Sequence, residues 1–382
     1  LLHVTDRDPV VMARGEGMYL WDTSGTRYLD FLGGWAVNAL GHSPKIIHDA
    51  LCEQAGRLVN ASPTFYNTPM LELAHLLTET SCLDRVFFCS TGAEANESAI
   101  KLARKYGAVS KDGAYQIITT EKGFHGRTLA TMAATGKAAW RGLFEPEMEG
   151  FMHVPFDDVG AIERAISKKT AAFMVEPIQG EGGVNVPSPF YLKEVRELCD
   201  RHGILLILDE VQTGIGRTGT MFAYEHAGIE PDIMTLGKGL GGGFPVAAML
   251  AKERLNIFET GEQGGTFTGQ PLAMAVALAV VSHIREEHLC KNARAMGAEI
   301  RRVLSELARD FPIHSIRGTG LLIGFDLGKP LAQAVKSACF TRGLILNAPG
   351  PKSVRLVPPL IVSREHIAKM AEILRAALSD TF

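Results

Sequence analysis

The stretch "PDIMTLGKGLGGGFPVAAML", residues 231–250, decides how the chain is read. Two apolar runs of strand length, 232–236 and 247–251, flank a segment where one lysine, Lys238, stands among Gly237, Gly239, Gly241, Gly242 and Gly243. Glycine costs backbone entropy on folding, so five together imply left-handed backbone or the close approach of something bulky. The expectation is that these glycines let a bulky ligand reach the lysine.

Working outward, further short apolar runs at 85–90, 116–121, 171–177 and 204–210 alternate with helical periodicity at 93–107, 189–202, 271–287 and 290–309. That alternation predicts an α/β fold around a mostly parallel sheet. The ends of the chain differ, with β-like segments at 18–22, 318–327 and 353–359. We therefore expect a smaller α+β domain made from residues 1–50 and 286–382, and a large domain over 51–285. The 382 residues are 46 % hydrophobic, enough to bury two cooperating domains. With 39 basic and 42 acidic residues interspersed, the net charge of −3 leaves no footprint for nucleic acid or an acidic membrane surface. The longest apolar run, residues 271–281, is too short to cross a bilayer. Six cysteines without CxxC spacing argue against a zinc site or a disulfide framework, so we expect no metal and a cytoplasmic protein. The chain begins at Leu1, and a preceding leader is left open.

Several segments carry chemistry. In "STGAEANESAIKLARK" (90–105), Thr91 and Glu94 have capping-box spacing, so a strand feeds a helix whose first amides, at Gly92 and Ala93, are free. Such a turn is either a plain strand-to-helix connection or a phosphate site. Asp209 ends the apolar strand 204–210, where ligands sit in open α/β sheets; it is a helix cap or the partner of a buried cation. Glu210 reads as structural. The loop "FHGRTLATMAATG" (124–136) offers Phe124 to cover a flat heterocycle and Arg127 to grip a carboxylate. His125 is assigned no chemistry. Glu176 and Glu181 in "EPIQGEGGV" could pair as acid and base, but five residues of sequence fix no separation in space. Arg355, among apolar residues, needs a carboxylate partner. Thr266 and Thr268 could cap the helix at 271 or reach a phosphate. "GKGLGG" (237–242) formally matches the dinucleotide-binding pattern and keeps an NAD-dependent oxidoreductase as an alternative. Taken together, a phosphate turn, an aromatic cover, a strand-end aspartate, a lysine among glycines and two arginines suit pyridoxal phosphate.

These segments, with "GEGMYLWD" (15–22), "GGWAVNALGHSP" (33–44), "LDEVQTGIGRTG" (208–219), "MTLGKGLGGGFP" (234–245) and "GGTFTGQPLA" (264–273), make the chain similar to the class III aminotransferases of fold type I. The resemblance covers about Pro9 to Pro359. It implies a seven-stranded, mostly parallel sheet between helices and pyridoxal 5'-phosphate as cofactor. Lys238 would be the Schiff-base partner and then the general base, and Asp209 the partner of the pyridine nitrogen. Gly92 and Ala93 would bind the phosphate, Phe124 and Val211 the two ring faces, and Gln212 would lie near the ring hydroxyl. Thr266 would reach the phosphate of a neighbouring subunit, which implies a homodimer. Arg127 would hold the substrate carboxylate remote from the reacting amine. Glu181 and Arg355 would form a switch, paired while the donor reacts and parted for 2-oxoglutarate. Gly265 stands where a substrate-contacting serine is frequent. The implied reaction moves the terminal amine of N2-acetyl-L-ornithine to 2-oxoglutarate, giving N-acetylglutamate 5-semialdehyde and L-glutamate, as in arginine biosynthesis. The 4-aminobutyrate, succinylornithine, acetyllysine and ornithine reactions are its alternatives. Ornithine is disfavoured because Thr5 falls where the ornithine enzymes carry a tyrosine.

Overall fold

A computed structural model describes residues 1–382. Its centre is a seven-stranded sheet in the order Arg85–Cys89, Ala247–Ala251, Ile233–Leu236, Leu205–Asp209, Thr170–Val175, Gln116–Thr120, Phe151–Val154. Thr170–Val175 and Leu205–Asp209 are buried at every position, which is why they read as unbroken apolar runs instead of alternating ones. Ala247–Ala251 runs antiparallel to both neighbours; the others pair in parallel. The edge strand Phe151–Val154 escapes sequence reading because its four residues are only partly buried until Val154. Helices Gly92–Ser110 and Tyr191–His202 flank the sheet near their expected bounds, and Pro271–Glu286, also near its expected bounds, packs on helices Lys45–Ala55 and Thr68–Thr80.

Two smaller sheets use the chain ends. Met12–Glu16, Tyr19–Asp22 and Arg27–Asp30 are joined by Leu344–Ile345 in parallel, so N- and C-terminal segments share one sheet. The other comprises Ile313–Thr319, Leu322–Leu327 and Ser353–Leu356. The stretch 318–327, expected as one β segment, instead contains a hairpin turn at Gly320–Leu321. Gly320 has φ +56°, and a Cβ there would lie 2.4 Å from the Thr218 carbonyl carbon, so the turn packs directly on the loop after Asp209. Buried Arg217 holds the same junction, donating to the carbonyls of Leu321 and Pro358. No helix is long and apolar enough to cross a membrane.

The glycine cluster has mostly an internal cause. A Cβ at Gly241 would sit 2.0 Å from the Phe244 carbonyl oxygen, while Gly242 and Gly243 hold φ of +56° and +128°. These three shape the reversal between antiparallel strands. Only Gly237 faces the neighbourhood of Gly92, where a Cβ would come 3.5 Å from the Gly92 Cα. The expectation that all five admit a ligand is corrected accordingly. The dinucleotide reading also fails on geometry. Lys238–Leu240 is one short 3₁₀ turn, and no helix follows whose N-terminus could receive a pyrophosphate.

Candidate active site

The strands ending at Cys89, Thr120, Val175, Asp209 and Leu236 deliver Gly92, Phe124, Glu176, Asp209 and Lys238 along one edge of the sheet. Ligands collect at this edge in open α/β folds.

Asp209, 3 % exposed, is held there by three hydrogen bonds. Its Oδ2 accepts from His125 Nδ1 at 2.8 Å and Asn96 Nδ2 at 2.8 Å, and its Oδ1 accepts from the Val211 amide at 3.1 Å. Asn96 is fixed in turn, donating to the His125 carbonyl at 2.7 Å and accepting from Thr235 Oγ1 at 2.7 Å. His125 is therefore a hydrogen-bonded structural residue of the site. Because a carboxylate only accepts, Nδ1 carries the proton. Burial alone would lower the imidazole pKa, but the hydrogen bond and charge of Asp209 outweigh it and raise it. Neither Asn96 nor Thr235 was singled out in advance. The available signal was an asparagine in a helix interior, where its competing hydrogen bonds are unfavourable unless used.

At the start of helix Gly92–Ser110 the capping box is formed. Thr91 Oγ1 accepts from the Glu94 amide at 3.2 Å, and the Glu94 carboxylate accepts from the amides of Ser90 and Thr91 at 2.9 Å each. The Ala95 amide bonds to the Thr91 carbonyl, so the first-turn amides left over are those of Gly92 and Ala93. The Val211 side chain walls this spot, 2.8 Å from where a Gly92 Cβ would be.

Lys238 has φ +43°, an uncommon left-handed setting for a long side chain. Burial pushes its ammonium below the ordinary lysine range; Glu181 pulls the other way and Arg355 adds to the lowering. Arg355, 1 % exposed, comes from strand Ser353–Leu356. Its Nη1 donates to Glu181 Oε1 at 2.7 Å, the Gly180 carbonyl at 2.9 Å and Gln212 Oε1 at 3.2 Å. Its Nε and Nη2 are buried without a partner. The Glu181 carboxyl, despite burial, is lowered by that guanidinium. Glu176 does not pair with Glu181. It accepts from the amides of Phe124 at 2.9 Å and Gly180 at 3.2 Å, clamping two loops, and burial raises its pKa to about 7. Glu210 is structural as expected, accepting from the Ala223 and Tyr224 amides.

Phe124 meets Trp140 edge-on at 5.9 Å, and the Arg127 guanidinium lies 4.2 Å from the Trp140 ring centre. Trp140 and Lys137 were not anticipated, because a single 3₁₀ turn, Ala138–Trp140, just after the short helix Leu129–Ala134 carries no periodic signal. Gly265 and Thr266 lie apart from this cluster, exposed beside Cys89, Ser90, Glu97 and Lys101.

A family model described as "Aminotransferase class-III" matches residues 3–378. The chain belongs to the class III aminotransferases. Acetylornithine aminotransferase 2 of Bordetella pertussis is 47 % identical over 382 residues, covering 99 % of this chain and 96 % of its own. A solved acetylornithine aminotransferase from Elizabethkingia anophelis superposes with a TM-score of 0.89 at 36 % identity, over 99 % of this chain and 96 % of that one. The ornithine aminotransferase of Toxoplasma gondii crystallised with oxidized glutathione superposes at 0.95 and 35 % identity, over 99 % and 92 %, with PLP partly occupying its active site.

The cofactor of this class III aminotransferase is pyridoxal 5'-phosphate, and the side chains present fit it. Two adjacent amides lack partners at a helix start, as a phosphate requires. A lysine of lowered basicity and a fully braced carboxylate face the same edge. The fold is that of the fold type I enzymes, with the seven-stranded sheet expected of them.

Proposed function

We propose that this chain transfers the terminal amine of N2-acetyl-L-ornithine to 2-oxoglutarate, forming N-acetylglutamate 5-semialdehyde and L-glutamate. The observation carrying an ω-amine donor is the Arg355–Glu181 contact at 2.7 Å. With Glu181 engaged, Arg355 is neutralised and does not draw an α-carboxylate towards Lys238. When 2-oxoglutarate enters, its α-carboxylate suits the unpartnered Nε and Nη2. The acetylated donor is supported by relatives of that name at up to 47 % identity.

In this reading Gly92 and Ala93 donate their amides to the cofactor phosphate, Phe124 and Val211 bracket its ring, and Asp209 keeps the ring nitrogen protonated. Bound pyridoxal phosphate supplies an aldehyde for the amine and an electron-accepting ring. His125 and Asn96 hold Asp209 in orientation. Lys238 Nζ, poised by desolvation, removes the proton from the amine-bearing carbon and returns it. Gln212, bonded to Arg355, steadies the switch. Arg127 grips the remote carboxylate, and Gly265 leaves room where a serine side chain would otherwise touch substrate.

We assign residues 51–285 to the cofactor-binding domain and residues 1–50 with 286–382 to a smaller domain; the two small sheets, drawn only from those terminal segments, support this. Exposed Thr266 supports a homodimer in which it reaches the partner's phosphate site. Free cysteines support a reducing, cytoplasmic setting. A glutamate-coupled assay across acetylornithine, succinylornithine, ornithine, acetyllysine and 4-aminobutyrate tests the donor. The highest kcat/KM is expected for acetylornithine, and a strong preference for 4-aminobutyrate would refute it.

A further inference from the structure

Phe124 and Arg127 precede the short helix Leu129–Ala134 and Lys137 follows it, directly before the 3₁₀ turn Ala138–Trp140. The Lys137 backbone amide bonds to the Thr135 carbonyl at 3.0 Å. Its Nζ sits in the elbow of two perpendicular rings, 5.1 Å from the centre of Phe124 and 4.9 Å from that of Trp140. Arg127 lies against the same Trp140 ring at 4.2 Å. Two cations thus share one aromatic shelf beside the ring that borders the reacting centre.

Neither cation has a carboxylate to neutralise it, while every acidic side chain nearby is engaged elsewhere. Glu181 is bonded to Arg355, and Glu176 to two backbone amides. Ring faces offset little of the cost of taking an ammonium out of water. Burial accordingly lowers the Lys137 pKa; Arg127 and Arg355 push the same way, and Glu181 and Glu176 oppose them. Lys137 therefore feels the charges at both ends of the site, while its own end holds two cations on one aromatic shelf and no paired carboxylate.

We propose that Lys137 is a specificity-determining residue that, beside Arg127, holds the carboxylate remote from the reacting amine. That carboxylate is the α-carboxylate of an N-acylated diamino acid donor, and the γ-carboxylate of glutamate and 2-oxoglutarate. One fixed cationic end then serves both half-reactions, while the Glu181–Arg355 pair changes state at the other. Amines without that carboxylate are selected against. The inference rests on the functional reading above only for the identity of the donor.

The test compares Lys137→Met, which keeps length and loses charge, with Lys137→Arg, which keeps charge. Steady-state constants are measured for acetylornithine and for its decarboxylated analogue, N-acetylputrescine. Losing one charge-assisted contact predicts about a tenfold or greater rise in KM for acetylornithine in Lys137→Met, with kcat changed less. The loss with N-acetylputrescine is expected to be smaller by about the same factor, and Lys137→Arg to recover the preference. Calorimetric titration with glutarate, which needs no turnover, is expected to weaken by about tenfold in Lys137→Met. Equal losses on both donors with unchanged glutarate affinity would overturn the proposal. Should the wild-type protein turn over glutamate but not acetylornithine, the donor reading fails alone. KM for glutamate and glutarate binding then still judge Lys137.

Discussion

A buried carboxyl at Glu176 carries the pH signature of the site. Burial holds its pKa at about 7, against 4.5 for an unhindered glutamate. An unfolded chain loses that proton first, so between these values the native state binds more proton and stability falls as pH rises. Glu176→Gln removes the titration while keeping an acceptor for one of the two loop amides. Thermal unfolding at about pH 5 and about pH 8 is expected to show the variant gaining on wild type at the higher pH. A Tm difference independent of pH would contradict this. His125 has the same sign by another route: its Asp209 partner raises its pKa, so its contribution is full below its unfolded pKa and fades as pH climbs through the raised one. The two residues couple, because His125 counters the raising of Glu176 and Asp209 adds to it.

At the level of elements, the turn after Lys238 shows which parts of the sequence pattern serve the fold and which face the site. Gly239 has nothing nearer than 3.6 Å to an added Cβ, whereas Gly241 would place one 2.0 Å from a backbone oxygen. Gly239→Ala is expected to cost at most about 1 kcal/mol, and Gly241→Ala about 3 kcal/mol or more, since backbone cannot step aside as a side chain does. Chemical denaturation of the two variants measures this, and equal costs would show that the reversal is set by something other than Gly241. The same contrast explains what was legible in advance. Leu205–Asp209 announced itself because a strand buried on both faces is apolar throughout, and Gly92–Ser110 because its capping box is written in Thr91 and Glu94. Phe151–Val154 and the hairpin at Gly320 did not, since an edge strand and a tight turn draw their definition from contacts distant in sequence. In the site, Asp209 and Arg355 stood out as charges in apolar surroundings, and Lys238 as a charge among glycines. Asn96, Thr235, Lys137 and Trp140 matter only through partners that the fold brings to them.

Across the whole molecule, the termini and the central sheet are interdependent. Arg355 arrives from a C-terminal strand to meet Glu181 of a central loop, and Arg217 of the central region caps carbonyls of the C-terminal segment. Exposed Thr266, in our reading, extends that dependence to a second copy of the chain. Co-expressing a Lys238→Ala chain with a Thr266→Asp chain tests it, each being inactive or impaired as a homodimer. Mixed dimers are expected to recover activity, because one of their two sites then has an intact lysine and an intact partner threonine. If Thr266 serves its own chain instead, mixing restores nothing.

The most direct measurement concerns Lys238 itself. Borohydride reduction of the pyridoxal phosphate-loaded enzyme, followed by peptide mass mapping, fixes the cofactor to whichever lysine holds it. The account predicts a single modified lysine at Lys238, and no labelling of Lys238→Ala at any other lysine of the site. Modification of Lys137 or another lysine in the wild-type protein, with Lys238 unlabelled, would contradict it.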